Sequence, residues 1–346
     1  MLMLARSRAL RLTQSGLPGP LLIPSVSSKG FLLVDGLSEA GTVLPLVIDD
    51  MAESLLISAY DVHHGLLPDH ERLMGNERAE TMYDVPALLV LDSGGYELSE
   101  TFASGERNRG PGDIRDFDRR QYELVVHQLS RDRNLLVVTY DEPDARRPSY
   151  RGQREGAQLF AAERPELKID FLLKPPAGDA FIVPTKLAAE ASALARFDVV
   201  GVTEKELGET LLDRMLCLAR LRRLLDSSGS AAVPLHVFGA LDPVMTPLYF
   251  MAGAEVFDGL SWLRYAYYDD TAVHPDELAV ITGSFGADRI LRDAERYLSN
   301  LRQLGRLRER LMRWASEPER YELLGRHYQR LREGYETMQD QLRRDG

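Results

Sequence analysis

Three aspartates each follow an apolar run at the point where a strand is expected to end. They are Asp92 in VLDSGGYE, Asp141 in VVTYDEP and Asp258 in EVFDGLSWLR. Burial and a neighbouring like charge perturb the ionisation of such carboxyl groups, as acid/base and nucleophilic chemistry requires. Any one of them taken alone is equally well explained as the cap of the helix that follows. The three together predict a site built from carboxylates.

Short apolar runs alternate with amphipathic segments up to about residue 270, and these elements must position the acids. The runs are LLIPSV, LPLVI, SLLISAY, ALLVLDSGG, NLLVVTYDEP, IDFLLKPP, AFIVP, FDVVGV, PLHVFGAL and EVFDGLSW, and the helical patterns lie around 113 to 131, 187 to 196, 206 to 226 and 243 to 253. Continuously apolar strands separated by helices predict a parallel sheet that is covered on both faces. About eight such units are typical of the α/β class (β/α)8 TIM barrel, whose active site lies at the carboxyl ends of the strands.

The last part of the chain has a purely helical pattern. We therefore predict a TIM-barrel domain over residues 1–287 and a C-terminal helical segment over residues 288–346. The whole chain has a formal charge of -11, but from Arg289 onward 14 arginines face 10 acidic residues. Clustered cations favour phosphate contacts, whereas a solvated helical surface with interleaved charges explains the same pattern equally well.

Composition narrows the class of protein. With 346 residues and 44% hydrophobic content, the chain can bury a large core, and its apolar runs are too short for a membrane-spanning helix. The single cysteine, Cys217, excludes a disulfide framework and a Cys-rich zinc site, and it favours a cytoplasmic setting. We predict no cofactor and no metal: Cys217 is expected to be buried on a helix, His274 to lie in an exposed loop, and the adjacent His63 and His64 to face different directions.

The three acidic stretches resemble, in order, the signatures of the tRNA-guanine transglycosylase family, which exchanges a guanine in nucleic acid for a 7-deazaguanine. Residues 92–97 match Asp-Ser-Gly-Gly-Phe/Tyr-Gln, with Glu97 in place of the glutamine. Residues 140–142 match a Phe-Asp-Glu type sequence, and residues 257–264 match Phe-Asp followed by a Pro-Thr-Arg type segment that here keeps only the arginine. These colinear matches span about residues 18 to 265.

The resemblance implies a role for each acid. Asp258 is the nucleophile that forms a covalent bond to the sugar, Asp92 is the general acid and then base, and Asp141 accepts hydrogen bonds from the donors of a guanine-like base. Tyr96 and Phe238 are expected to stack on the base, and Arg264 to contact phosphate. The remaining predicted base-pocket residues are Ser93, Gly94, Gly95, Gly201 and Gly239.

Two departures from the family pattern bear on the polymer. The region after the third signature has no cysteine, so the family's zinc site is absent, and the Gln-Gly-Gly motif is replaced by a segment near Lys174 or near Lys186. Loss of the zinc module and of the strict Pro-Thr-Arg favours DNA over tRNA as the nucleic acid that receives a 7-deazaguanine base. A non-catalytic subunit and a barrel N-glycosidase acting on nucleosides remain alternatives, and a homodimer or partner subunits are left open.

Overall fold

Eight parallel strands form a closed barrel in the computed structural model, which describes residues 4–34, 36–75, 80–98, 115–129, 133–286 and 288–345. The strands are β1 Leu21–Val26, β2 Ser54–Ser58, β3 Leu88–Asp92, β4 Leu135–Val138, β5 Lys168–Leu173, β6 Val199–Thr203, β7 Leu235–Phe238 and β8 Val256–Gly259. Strand β8 pairs with β1 and so closes the barrel, with Asp258 opposite Ile23. The predicted (β/α)8 TIM barrel with C-terminal helices is confirmed.

Helices surround this barrel. Those in the described residues are α1 Glu39–Val47, α2 Ala59–His63, α3 His70–Leu73, α4 Gly95–Leu98, α5 Arg119–Gln128, α6 Tyr150–Ala162, α7 Pro184–Leu187, α8 Leu211–Ser227, α9 Met245–Met251, α10 Ser261–Arg264, α11 Pro275–Thr282, α12 Arg289–Ser316 and α13 Tyr328–Arg344. A hairpin of Ala266–Tyr268 and Thr271–Val273 precedes α11. None of the helices described is long and apolar enough to cross a membrane.

The strand sequences are apolar because both of their faces are buried. Alternate residues point into the barrel, where Ile23, Leu56 and Val90 belong to one interior cluster. Leu10 and Leu17, from the hairpin of Ala9–Leu10 with Leu17–Pro18, pack into the same cluster and close the amino-terminal end of the barrel. Since that end is closed by leucines, the polar inward-facing side chains are concentrated at the other end.

Two predicted strands are wrong, and several helices were not predicted, of which α6 is the longest. The run LPLVI belongs largely to helix α1, which begins where the Ser38 side chain accepts a hydrogen bond from Gly41 N and tolerates Pro45 in its interior. The run AFIVP forms no strand and leads into α7. Helix α6 was missed because its sequence, YRGQREGAQLFAA, is polar and contains two glycines, which weakens the helical signal. Short apolar runs do not by themselves separate buried helix from buried strand.

The C-terminal segment packs on the barrel through apolar and backbone contacts. Trp314 of α12 is fully buried and meets Phe250 of α9 at 6.3 Å between ring centroids. Arg308 of α12 donates to the carbonyls of Pro18 and Pro20, and pairs with Glu53 at 2.9 Å. This part of the arginine-rich segment therefore holds the helix against the closed end of the barrel.

Candidate active site

The carboxyl ends of the strands open into one cavity of about 1230 Å³, which we call the mouth cavity. The structure brings the three predicted acids, Asp92, Asp141 and Asp258, together in its wall. Other strand ends contribute polar side chains to the same wall, namely Ser25, Ser58, Lys174 and Thr203. The cavity is large enough for a nucleobase together with its sugar, since ligand sites for small molecules commonly measure about 300 to 1,000 Å³.

Asp258 lies on the inward face of β8 and is only 7% exposed. Its Oδ2 accepts a hydrogen bond from Ser25 Oγ at 2.8 Å, and its Oδ1 accepts one from Gly239 N at 3.0 Å. Ser25 Oγ itself accepts from Gly259 N at 3.1 Å, which fixes the orientation of the hydroxyl. Donors on both oxygens stabilise the negative charge of this buried carboxylate.

His236 of β7 and Asp170 of β5 lie behind Asp258, and neither residue was assigned a role from sequence. Both are fully buried, with His236 Nδ1 2.7 Å from Asp170 Oδ2. His236 Nε2 lies 3.3 Å from Asp258 Oδ1. Burial lowers the pKa of His236, but the two carboxylates outweigh burial and raise that pKa to about 9. Burial raises the pKa of Asp170, and the neighbouring imidazolium opposes that rise.

Asp92 has the opposite electrostatic surroundings. Burial is the largest cause that raises its pKa to about 7, and the carboxylates of Glu97 and Asp258 add to that rise. A hydrogen bond from Gly94 N to Asp92 Oδ2, at 3.1 Å, acts in the other direction. Asp92 is therefore about half protonated near neutral pH, which suits a group that must both give and take a proton.

Glu97 is the residue that replaces the glutamine of the resembled family. It is 2% exposed, and its Oε1 accepts a hydrogen bond from Ser27 Oγ at 2.6 Å. Its Oε2 has no hydrogen-bond partner among the residues that the structure describes. Glu97 lines the mouth cavity, and its charge is one of the causes that raise the pKa of Asp92.

Asp141 does not present a bare carboxylate to the mouth cavity. Its Oδ1 lies 3.2 Å from Arg147 Nη2, and its Oδ2 lies 3.1 Å from Lys174 Nζ. The same two cations also pair with Glu206, Arg147 at 3.0 Å and Lys174 at 2.9 Å. Asp141 can accept from the edge of a base only with lone pairs that these cations leave available, or after one of them moves. Of the two proposed replacements for Gln-Gly-Gly, Lys174 lines the cavity, while Lys186 is exposed and pairs with Asp179.

The predicted pocket glycines make room for protein side chains. A Cβ on Gly94, whose φ is +83°, would lie 2.8 Å from Phe117 Cε1. A Cβ on Gly95 would lie 2.7 Å from Asp141 Cβ. One on Gly201 would lie 2.4 Å from Phe238 Cε2. These glycines therefore admit neighbouring rings and carboxylates, and their close approach to a ligand stays a prediction.

The remaining predicted binding residues lie at or beside the mouth. Tyr96 and Phe238 both line the cavity, and Gly239, whose φ is +80°, has open space where a Cβ would be. Ser93 is buried and its Oγ accepts from Gly95 N, so it supports the turn. Arg264 lines the cavity and its Nη2 donates to Tyr96 Oη at 3.4 Å.

Cys217 and His274 lie where they were predicted, but the rings of the adjacent His63 and His64 lie against each other, with 4.8 Å between their centroids, and so do not point apart. His274 is exposed at the start of α11. Cys217 is buried in α8, and burial raises its pKa to about 12. Within the described parts of the chain, the structure has no group of three or more histidine, cysteine, aspartate or glutamate side chains that could hold a metal ion.

Asp170 and His236 left a weak signal in the sequence. Each is a single titratable residue inside an otherwise apolar run, IDFLL and LHVF, and so each predicts a polar side chain facing into the barrel. Nothing in the local sequence says that they face each other. No protein-family model matches the chain, and no curated protein matches it. The likeness to the transglycosylases therefore rests on the short motifs quoted above.

Proposed function

We propose that the protein is a guanine transglycosylase, which exchanges a guanine in nucleic acid for a 7-deazaguanine base. The observation that carries the proposal is the contrast between two carboxylates on one cavity. Asp258 has hydrogen-bond donors on both oxygens, whereas burial and like charges raise the pKa of Asp92 to about 7. A double displacement at a sugar carbon needs one carboxylate as nucleophile and one carboxylic acid as proton donor.

The chemistry balances on these two groups. A carboxylate oxygen of Asp258 forms a bond to C1′ while the bond from C1′ to the guanine breaks, and the departing base takes the proton of Asp92. The incoming base then gives its proton to the Asp92 carboxylate and attacks C1′. The bond from C1′ to Asp258 breaks, and Asp258 leaves as a carboxylate. Two inversions at C1′ give overall retention, and both bases use the same side of the sugar.

Base recognition is assigned to the walls of the mouth cavity. Tyr96 and Phe238 are the aromatic side chains proposed to stack on the flipped base. Asp141 is proposed to read the guanine-like edge together with Lys174, since its two ion pairs make these groups one unit. DNA is favoured as the polymer because the zinc module and the strict Pro-Thr-Arg of the tRNA enzymes are missing from the sequence.

Label transfer tests this function. The protein is incubated with radiolabelled guanine and either bulk tRNA or duplex DNA, and acid-precipitable label is counted. We expect label in one polymer, with DNA favoured, and none with Asp258→Ala. Release of free base from nucleosides without incorporation would instead identify an N-glycosidase. Binding of nucleic acid with neither reaction would identify a non-catalytic subunit.

A further inference from the structure

A buried histidine on β7 lies between a carboxylate of β5 and a carboxylate of β8. The three side chains are on the side of the mouth cavity that faces the closed end of the barrel. His236 faces Asp170 with Nδ1 at 2.7 Å and Asp258 with Nε2 at 3.3 Å. An ionised carboxylate only accepts hydrogen bonds, so a proton on Nδ1 satisfies Asp170. A second proton, on Nε2, makes the ring a cation within ion-pair distance of Asp258, although Nε2 makes no hydrogen bond among the described residues. The geometry is that of an imidazolium held between two negative charges.

We propose that Asp170 and His236 form a positioning pair that keeps Asp258 ionised, and so decide which of the two mouth carboxylates carries the proton. This inference rests on the proposed function and deepens it. The exposed fraction of Asp258 is only 7%, and burial by itself favours the protonated form of a carboxyl group. The cation at Nε2 offsets that effect at Asp258, while Asp92 lies beside the like charge of Glu97.

The barrel is built to hold this pair. The inward face of β6, the strand between β5 and β7, carries Gly201, where a Cβ would lie 2.7 Å from Asp170 Oδ1. The absence of a side chain there leaves the space that the Asp170 carboxylate occupies. The ionisable groups that act on His236 are Asp170 from β5 and Asp258 from β8, and β6 presents no charge to it. Their attraction outweighs burial and raises the pKa of His236 to about 9.

The pair acts on both halves of the reaction. When Asp258 bonds to C1′ it loses its charge, and the imidazolium keeps Asp170 as its partner. When the incoming base attacks, Asp258 leaves as a carboxylate, and the imidazolium stabilises the charge that returns to Oδ1. His236 touches neither the sugar nor the base in this scheme, so it is a positioning residue and keeps its proton throughout.

Asp170→Asn tests the pair, because it retains the shape of the side chain and removes its charge. At pH 8, exchange is expected to fall on the order of 10²-fold, the scale on which loss of one group that stabilises a developing negative charge acts. At pH 6 the loss should be smaller, because His236 without Asp170 regains its proton only at lower pH. Asp198→Asn is the matched control, since Asp198 carries the same charge beside β5 and accepts from Ile169 N without touching His236.

Two readouts need no exchange activity and therefore separate failure of this inference from failure of the proposed function. Nitrogen NMR at pH 8 should show His236 protonated on both nitrogens in the wild type and neutral in Asp170→Asn, with the resonance identified by its loss in His236→Gln. The side-chain carbon resonance of Asp258 should show an ionised carboxylate in the wild type and partial protonation in Asp170→Asn at neutral pH. A neutral His236 in the wild type, or an Asp258 resonance unaffected by Asp170→Asn, would overturn the proposal, and so would equal loss of exchange at pH 6 and pH 8.

Discussion

Glu97→Gln is the substitution that most directly tests how the mouth sets the proton donor. It removes one buried negative charge beside Asp92 and introduces the residue type that the resembled family has at this position. Two neighbouring carboxylates that titrate together commonly shift each other by about 1 pKa unit or more, or about 1.4 kcal/mol. Because the Glu97 charge raises the pKa of Asp92, which is about 7, the substitution should lower that pKa to about 6.

This shift has a calculable effect on rate. At pH 7 the protonated fraction of Asp92 should fall from about one half to about one tenth, so the step that needs the acid slows about fivefold. At pH 5 both proteins hold the proton, and their rates should agree. The assay is exchange of radiolabelled guanine into the accepted polymer, with kcat/KM measured from pH 5 to pH 9. The alkaline limb of the profile should move by about one unit toward acid.

Glu142→Gln is the control for Glu97→Gln. Glu142→Gln removes the same charge from the cavity wall, but Glu142 pairs with Arg119, at 3.0 Å from Nε, and it is not among the groups that raise the pKa of Asp92. Its profile should keep the wild-type alkaline limb. Superimposable profiles for Glu97→Gln and the wild type, or a limb moved toward alkali, would refute the reasoning. Carbon NMR of the Asp92 carboxyl gives the same comparison without substrate.

Other substitutions test the remaining assignments. Asp258→Ala should abolish exchange and leave binding of a free 7-deazaguanine within a few-fold of wild type, and a covalent adduct mapped by mass spectrometry to Asp92 instead would reverse the two roles. Asp92→Asn should lower exchange by roughly 10²- to 10⁴-fold. In urea unfolding, the stability of this variant relative to the wild type should be about 2 to 4 kcal/mol greater at pH 8 than at pH 4, because the wild type must ionise a carboxyl group whose pKa is raised. A gain that does not grow with pH would contradict the Asp92 assignment. Arg264→Ala should reduce the salt dependence of polymer binding by about one counterion, whereas Arg308→Ala should lower stability and leave that slope unchanged. Gly201→Ala should destabilise the fold by about 1 to 3 kcal/mol, measured by urea unfolding, because its Cβ would lie 2.4 Å from an aromatic carbon.

Much of the fold could be predicted from sequence because the buried parallel strands are continuous apolar runs. The same property explains the errors. The run LPLVI is apolar because it is buried in α1, and a short run that is apolar throughout does not show whether the chain is helical or extended. Helix α6 was not predicted because it has few apolar residues: its outer face is polar, and only Tyr150, Ala157 and Phe160 are buried.

The acids of the mouth could be predicted because each lies at or shortly after the carboxyl end of an apolar run, and a barrel brings these strand ends together. The support behind them could not. His236 reaches Asp170 across 66 residues of sequence because Gly201 pairs with His236 on one side of β6 while Val199 pairs with Asp170 on the other. Such a contact depends on strand register, which no local pattern records. The ion pairs of Asp141 likewise come from separate loops.

The pKa values of the mouth residues also predict how stability depends on pH. Asp92 has a pKa raised to about 7, so its contribution to stability falls as pH rises from its unfolded value near 4 through about 7. His236 has a pKa raised to about 9, so its contribution is fully present below about 6.5 and is lost as pH rises through about 9. The contributions of both groups to the stability of the fold therefore decrease as pH rises. At neutral pH the raised pKa of Asp92 costs stability, whereas the protonated His236 still contributes stability. Together they place a partly protonated Asp92 and an imidazolium-paired Asp258 on one cavity, which is the state that the proposed exchange requires.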